Sequence, residues 1–236
     1  MDEVQARQLE ITKTKRSNLH KLISKTYQKV AAGIIITAIV SVGTTMLVGD
    51  KLAQLKGSTF MIGWVMSFAL LLFAAVRVRT FVKQRENSKA NMAFYLIAGI
   101  FGLVLTLPFT YYTLDSIGAA FLISGAMFLG LARFGTTTEK DFVSWGRVLL
   151  VMLIGAVIVS FIGMFTGMGA GGIVINVLVM LLFSAYIVYD SNQLVKRNQN
   201  VATQDIEGIS TLMAVELYLD FINLFQRVLA LVGDRR

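Results

Sequence analysis

Two aspartates in apolar surroundings are the residues of this sequence whose type and position could do chemistry. Asp190 follows the apolar run FSAYIVY, and Asp220 lies inside the run LYLDFINLF. Each is 15 residues from Asp205, so two antiparallel helices joined near Asp205 would place both carboxylates at the same depth. Two carboxylates in contact at low dielectric cannot both be ionised cheaply, so they should share one proton and titrate as a coupled unit. Such a pair is a candidate pH sensor.

Asp220 also belongs to a polar stripe on its predicted helix. The stripe has spacings of four, three and four residues and consists of Glu216, Asp220, Asn223 and Arg227. An ionisable group at membrane depth costs on the order of 3 kcal/mol, so the stripe should face the bundle interior or a water-filled cavity. There, Glu216 and Asn223 could line an ion path. Alternatively, the stripe only hydrogen-bonds neighbouring helices, and Asp190 simply reaches headgroup water.

The elements that must position these residues are membrane-spanning helices. Hydrophobic residues make up 56% of the chain and charged ones only 15%, a ratio that a soluble globule could not cover without large exposed apolar patches. A bilayer core takes about 20 apolar helical residues to cross. Four uncharged runs near that length are Val30–Val48, Thr59–Val76, Ala90–Leu114 and Ser116–Ala132.

The remaining apolar sequence adds three spans. Val148–Tyr189 has 42 uncharged residues, enough for two spans with a flexible turn in the glycine-rich stretch Gly163–Gly172. Gly208–Val232 is long enough to be the seventh. The sequence therefore predicts an all-α integral membrane protein with seven transmembrane helices. These helices form a single domain over residues 30–233, preceded by a basic tail over residues 1–29.

Lysine and arginine are unevenly divided between the two sides of the predicted membrane. The tail and the loops at 77–91, 133–147 and 190–208 hold 17 of them, whereas the opposite loops hold two. The positive-inside rule therefore places the N-terminus in the cytoplasm. An odd number of spans would put the C-terminus outside, yet Arg235 and Arg236 favour the cytoplasm, so the seventh segment could be tilted, short or re-entrant. A basic excess spread over loops predicts topology and not a nucleic-acid partner.

Few other residue types could take part in chemistry at membrane depth. Arg77, at the cytoplasmic end of the second span, is the cation best placed to pair with the aspartates, and snorkelling to the interface is its alternative role. The chain has no cysteine, and its only histidine, His20, lies in the polar tail. A serine triad or a histidine- or thiolate-ligated metal centre inside the bundle is therefore excluded. We expect no enzymatic activity, no bound cofactor and no firmly assigned metal site.

Several of these runs resemble one family of membrane proteins. The runs FSAYIVYDSNQL and LYLDFINLFQRVLALVG, the seven-span layout and an arginine ending span two are similar to the Bax inhibitor family (the transmembrane Bax-inhibitor-motif group), in its bacterial branch. The likeness is most specific over residues 183–194 and 212–233, and the stretch FLISGAMFLGLARFGTTTEKD shares it. It covers essentially the whole membrane region and leaves out the tail.

The resemblance implies a bundle of six helices around a central seventh, acting as a pH-sensitive calcium leak channel in the bacterial inner membrane. Asp190 and Asp220 would be the sensor and gate, Arg77 the cation that pairs with them, and calcium the transported ion. Some relatives have an acidic residue within span two; this chain has none there, and Glu216 could replace it. Relatives are also linked to suppression of cell death and, in bacteria, to modulation of a membrane protease.

Two other functions stay open. An intramembrane aspartyl protease also places a Tyr-Asp pair on one helix and an aspartate on the next, and Tyr189 with Asp190 fits the first half. That class has glycines flanking its second aspartate and a proline motif further on, whereas Leu219 precedes Asp220 and no proline follows Pro108. The other alternative is a non-channel regulator, which would bind another membrane protein, such as a membrane protease, through its basic cytoplasmic face.

Overall fold

The computed structural model describes residues 3–53, 70, 73–166 and 172–234. The helices are α1 (Glu3–Ala53), α2 (73–83), α3 (Asn87–Tyr111), α4 (Leu114–Thr137), α5 (Trp145–Thr166), α6 (Ile173–Lys196) and α7 (Ile206–Val232), with a 3-10 turn at Thr203–Asp205. No β-strand occurs within these ranges. The predicted all-α class is confirmed.

Five helices are long and apolar enough to cross a membrane: α1, α3, α4, α6 and α7. In α5, the apolar helix Trp145–Val159 is shorter. The predicted second span, Thr59–Val76, falls mostly outside the described residues. The predicted turn at Gly163–Gly172 lies partly outside them, although α5 continues through the first four of its residues, to Thr166. The C-terminal Arg235 and Arg236 also lie outside the described part of the chain.

α1 joins the predicted tail and the first span in one continuous helix of 51 residues. Residues 3–17 are exposed, and the helix becomes part of a packed core at Asn18, Leu22 and Thr26. No break in the helix marks the boundary predicted at residue 29. The polar sequence still forms helix there because no glycine or proline interrupts it before Gly33.

The chain divides into two compact units. The first comprises residues 1–106 and 194–216. Within it, α1 and α3 approach closely, since the hydroxyl of Thr37 donates a 2.9 Å hydrogen bond to the carbonyl of Ala98. A Cβ added to Gly102 would lie 2.6 Å from Cβ of Val40. Small residues at such a crossing let two helix backbones meet in a membrane bundle.

The second unit comprises residues 107–193 and 217–236. Phenylalanine rings pack α7 against α3 and α4 in this unit. The ring of Phe221 lies 5.6 Å from that of Phe128 and 5.9 Å from that of Phe121, and Phe225 lies 6.2 Å from Phe109, all edge to face. These rings fix the position of α7 immediately beside Asp220.

The end of α7 is held beside the start of α4. The backbone N–H of Asp234 donates to the hydroxyl of Ser116 at 2.9 Å, and the carbonyl of Asp234 accepts from the N–H of Thr113 at 3.2 Å. With 27 residues, α7 is about 40 Å long, more than the roughly 30 Å of a bilayer core. It is also the most enclosed candidate span, with 72% of its apolar window buried against 22 to 50% in the others.

Candidate functional site

The two predicted sensor aspartates lie in the second unit, close to one tyrosine. Asp190 on α6 is 8% exposed and Asp220 on α7 is 5% exposed. The phenol of Tyr186, one helical turn before Asp190, interacts electrostatically with both carboxylates. Because such interactions weaken with distance, both carboxylates lie in the neighbourhood of this one phenol. The structure therefore brings Asp190 and Asp220 into the same buried region, beside a tyrosine that the sequence analysis did not select.

Two glycines let neighbouring helices approach the residues that flank Asp190. A Cβ added to Gly135 on α4 would lie 2.5 Å from the carbonyl oxygen of Val188. A Cβ added to Gly146, in the first turn of α5, would lie 2.5 Å from the hydroxyl of Tyr189. A larger residue at Gly135 would push against the backbone of α6, whereas one at Gly146 would displace the phenol of Tyr189, so α4 and α5 both pack closely on the residues that precede Asp190.

Asn192 ties the connection between α4 and α5 to α6. Its side-chain nitrogen donates to the carbonyls of Gly135 at 3.2 Å and Lys140 at 3.0 Å, and its oxygen accepts from the N–H of Phe142 at 3.2 Å. The side chain is fully buried. A buried amide with both of its polar atoms bonded is a rigid link, so the segment that enters α5 is held next to the aspartate region.

Glu216 and Arg77 belong to the first unit. Nη2 of Arg79 lies 3.4 Å from Oε1 of Glu216, and both side chains are partly exposed. The guanidinium of Arg77 lies over the ring of Phe81, 4.8 Å from its centroid, and 6.0 Å from that of Phe73, on its own helix. Of Arg77 and Arg79, Arg79 is therefore the one that forms an ion pair with Glu216 of the stripe. The role of Arg77 as the cation that pairs with the aspartates stays a prediction.

The rest of the α7 stripe makes hydrogen bonds within the second unit. The side chain of Asn223 donates to the carbonyl of Leu219, one turn earlier on α7, at 2.8 Å. Nη1 of Arg227 donates to the side-chain oxygen of Asn176 on α6 at 3.1 Å. Arg227 thus links α6 to α7, as the structural interpretation of the stripe expects, and Asn223 bonds its own helix.

An ionic network around the buried Lys29, in the first unit, was not predicted from the sequence. Nζ of Lys29 lies 2.7 Å from Oε1 of Glu207, 2.9 Å from the side-chain oxygen of Asn91 and 2.6 Å from the hydroxyl of Thr211. The other carboxylate oxygen of Glu207 lies 2.5 Å from Nζ of Lys25. These contacts join α1, α3 and α7. The one signal for them in the sequence is that Lys29 is the last charge before the first apolar run.

Comparison with known proteins identifies the family. The chain matches the family model Bax1-I, described as "Inhibitor of apoptosis-promoting Bax1", over residues 19–236. It is 26% identical to the inner membrane protein YbhL of Escherichia coli K12, over 94% of each chain. It is 30% identical to an uncharacterized protein of Caulobacter vibrioides, over 93% of this chain and 91% of that protein. An uncharacterized membrane protein of Streptococcus pyogenes serotype M3 is 31% identical, over 91% of this chain and 93% of that protein.

The family match covers the packed part of the structure. The match begins one residue after Asn18, where α1 enters the packed core, and continues to the C-terminus. Five helices within the described residues have the length and apolar composition of membrane spans. The chain is therefore a multi-pass membrane protein that belongs to the Bax inhibitor family.

Proposed function

We propose that this protein is a pH-sensitive calcium leak channel whose gate is the pair Asp190 and Asp220. The observation that supports this function is the burial of both carboxylates, on α6 and α7, around the phenol of Tyr186. The titratable groups in electrostatic contact with that phenol are Asp190 and Tyr189 on α6 and Asp220 on α7. Carboxylates crowded into one buried region share a proton and respond to pH together.

Protonation closes the gate in this mechanism, and loss of the proton opens it. While one carboxyl carries a proton, it donates a hydrogen bond to the other, and α6 and α7 stay paired. When the proton leaves, the two carboxylates repel each other; for two unit charges in contact, at about 4 Å, the repulsion is about 4 kcal/mol at an effective dielectric of about 20. A change of that size shifts a two-state equilibrium by about a thousandfold, which is ample for gating.

The architecture that we propose is six helices around a central α7, with the N-terminus in the cytoplasm. The large buried share of α7 supports the central position. The excess of lysine and arginine in the tail and three loops supports the orientation. We further propose that α7 makes a full crossing and that the C-terminus is outside. The hydrogen bonds between Asp234 and the start of α4, on the side that we propose to lie opposite the basic loops, support this.

Calcium would pass along the polar stripe of α7. Glu216, Asp220 and Asn223 offer oxygen ligands along one helical face. Calcium takes about six to eight oxygens, so water must complete its shell during transit. Across the described residues, acidic and histidine side chains form no group of three that could hold a resident metal ion.

Calcium efflux from proteoliposomes at about pH 6 and about pH 8 tests this function. Asp190→Asn and Asp220→Asn keep the size and hydrogen-bonding capacity of the side chain and remove its titration. Asp115→Asn is the matched control, because Asp115 is exposed in the first turn of α4. We expect the efflux of the wild type and the control to rise with pH, and both test variants to lose that rise. An unchanged pH response in both test variants would refute the gate.

The second candidate function is a regulator that binds another membrane protein. The exposed basic start of α1 favours it, since Arg7, Lys13, Lys15 and Arg16 lie within residues 3–17, all of which are exposed. A basic helix of this kind suits an acidic partner surface. Purified protein that passes no calcium, together with stoichiometric co-purification of a membrane protein that depends on residues 3–17, would favour this function over the channel.

A further inference from the structure

Gln193 is a buried polar side chain that the proposed gate does not use. It lies on α6, three residues after Asp190 and therefore on the same side of the helix, and it is 3% exposed. Neither its amide nitrogen nor its amide oxygen has a hydrogen-bond partner among the residues that the structure describes. The preceding residue, Asn192, is equally buried and bonds through both amide atoms. Gln193 is thus an exception that needs a physical explanation.

The energetic cost of such a side chain is substantial. A buried amide without partners loses about 1 to 3 kcal/mol relative to one that is bonded. An apolar side chain of similar length, such as methionine, would avoid this cost at a position that packs only against protein. The amide has two donor hydrogens and an acceptor oxygen, and a bound water can satisfy both kinds of atom. Buried water requires at least two polar partners, and the carboxylate of Asp190 is within one helical turn.

We propose that Gln193 and Asp190 together bind water, so that the aspartate pair is hydrated from the C-terminal end of α6. Under the proposed orientation this end is cytoplasmic. The predicted effect of Gln193 on calcium flux rests on the proposed function. The hydration of Gln193 does not require the protein to be a channel. In the channel, the water bound by Gln193 supplies one of the oxygen ligands of calcium as the ion passes the aspartates.

Cysteine labelling tests the hydration directly. The chain has no cysteine, so a single introduced cysteine is the only thiol. The test variant is Gln193→Cys. Its matched control is Leu194→Cys, because the side chain of Leu194 is fully buried at the next position. Both variants are treated in membrane vesicles with a small charged methanethiosulfonate, which reacts with thiols. Only a hydrated thiol ionises and reacts readily, so we expect Gln193→Cys to react about tenfold faster than Leu194→Cys. Equally slow reaction at both positions would overturn the inference.

Calcium flux provides the second measurement. Gln193→Met keeps the length of the side chain and removes its water-binding atoms, whereas Gln193→Asn keeps the amide and adds no titratable group. We expect Gln193→Met to lower the flux at about pH 8 by about tenfold, the equivalent of one lost hydrogen bond to water, and Gln193→Asn to retain most of the flux. Size-exclusion profiles of both variants serve to check that they are folded.

The outcomes separate this inference from the channel itself. In one outcome, the wild type conducts calcium and Asp220→Asn removes the pH dependence of the flux. If Gln193→Met then conducts as well as the wild type and is more stable to heat, the amide of Gln193 binds no water and is merely unsatisfied. The inference then fails and the channel stands. If the wild type passes no calcium, the channel fails, and the labelling rates alone confirm or overturn the hydration of Gln193.

Discussion

Nζ of Lys29 lies 2.7 Å from Oε1 of Glu207, although the two residues are 178 positions apart in the chain. The Lys29 side chain is 9% exposed and that of Glu207 is 29% exposed. Asn91 and Thr211 complete the hydrogen bonds of the ammonium group. A charge in such surroundings is stable only while its partners are present, so this contact fastens α1 to the beginning of α7.

Lys29→Met should destabilise the protein clearly. The substitution leaves the Glu207 carboxylate without its buried cation, and we expect the free energy of unfolding to fall by roughly 2 to 3 kcal/mol. Lys25→Met is the control, because Lys25 contacts the same carboxylate from a side chain that is 49% exposed, and it should cost at most about 1 kcal/mol. Thermal denaturation of the purified variants measures both effects. Equal losses would contradict the assignment of Lys29 as the buried partner.

Gly135→Ala should disturb the helix that carries Asp190. The new Cβ would lie 2.5 Å from a backbone oxygen of α6, which cannot rotate away, so α4 and α6 must separate at a cost of about 1 to 3 kcal/mol. Gly130→Ala on the same helix is the control, because a Cβ there meets no atom within 4 Å. The control should be neutral or slightly stabilising. Denaturation curves measure the difference, and identical curves for the two variants would refute the close α4–α6 contact.

Asn192→Ala should loosen the connection between α4 and α5. It removes three hydrogen bonds and leaves the carbonyls of Gly135 and Lys140 and the N–H of Phe142 without a partner side chain. Tryptic cleavage after Lys140, which is exposed, should become about tenfold faster as the connection opens. Asn198→Ala serves as the control, since the side chain of Asn198 donates to the carbonyl of Leu194, four residues earlier, at 3.0 Å and does not reach the α4–α5 connection in the described structure. Unchanged cleavage in Asn192→Ala would show that other contacts hold this segment.

Arg77→Gln and Arg79→Gln should differ in their effect on flux. If Arg77 pairs with the aspartates, it favours their charged form, so its removal should raise the pH at half-maximal calcium flux by on the order of one pH unit. Arg79 forms a partly exposed pair with Glu216, and its removal should leave that pH almost unchanged. Efflux across a pH series measures both. A shift in Arg79→Gln with none in Arg77→Gln would transfer the proposed role to Arg79.

The positions of α3 and α4 could be predicted from hydropathy, while the exact ends of these helices could not. Ala90–Leu114 and Ser116–Ala132 correspond to α3 and α4, yet α4 continues five residues further, to Thr137. The hydroxyls of Thr136 and Thr137 both donate to the carbonyl of Arg133, which extends the helix into polar sequence. Hydropathy reports where a helix is apolar and is insensitive to such local hydrogen bonds.

The prediction that Asp190 and Asp220 lie at one depth needs only two consecutive helices. Asp190 and Asp220 are equally far from Asp205, and an antiparallel pair of helices preserves that equality of depth. Which of Arg77 and Arg79 meets Glu216 depends on the rotation of α2, because residues two apart on a helix point in different directions. The Lys29 network draws on three helices, and no pattern within one helix reports a neighbour so far along the chain.

The most direct measurement is the pH dependence of calcium flux in Asp190→Asn, Asp220→Asn and the double variant, beside the wild type. If the two aspartates act as one gate, removing either abolishes the shared titration, and the double variant should behave like each single variant. We predict three equally flat pH profiles against a rising wild-type profile. If each single variant keeps the pH response of the wild type, or if the two losses simply add, the aspartates do not gate as a pair.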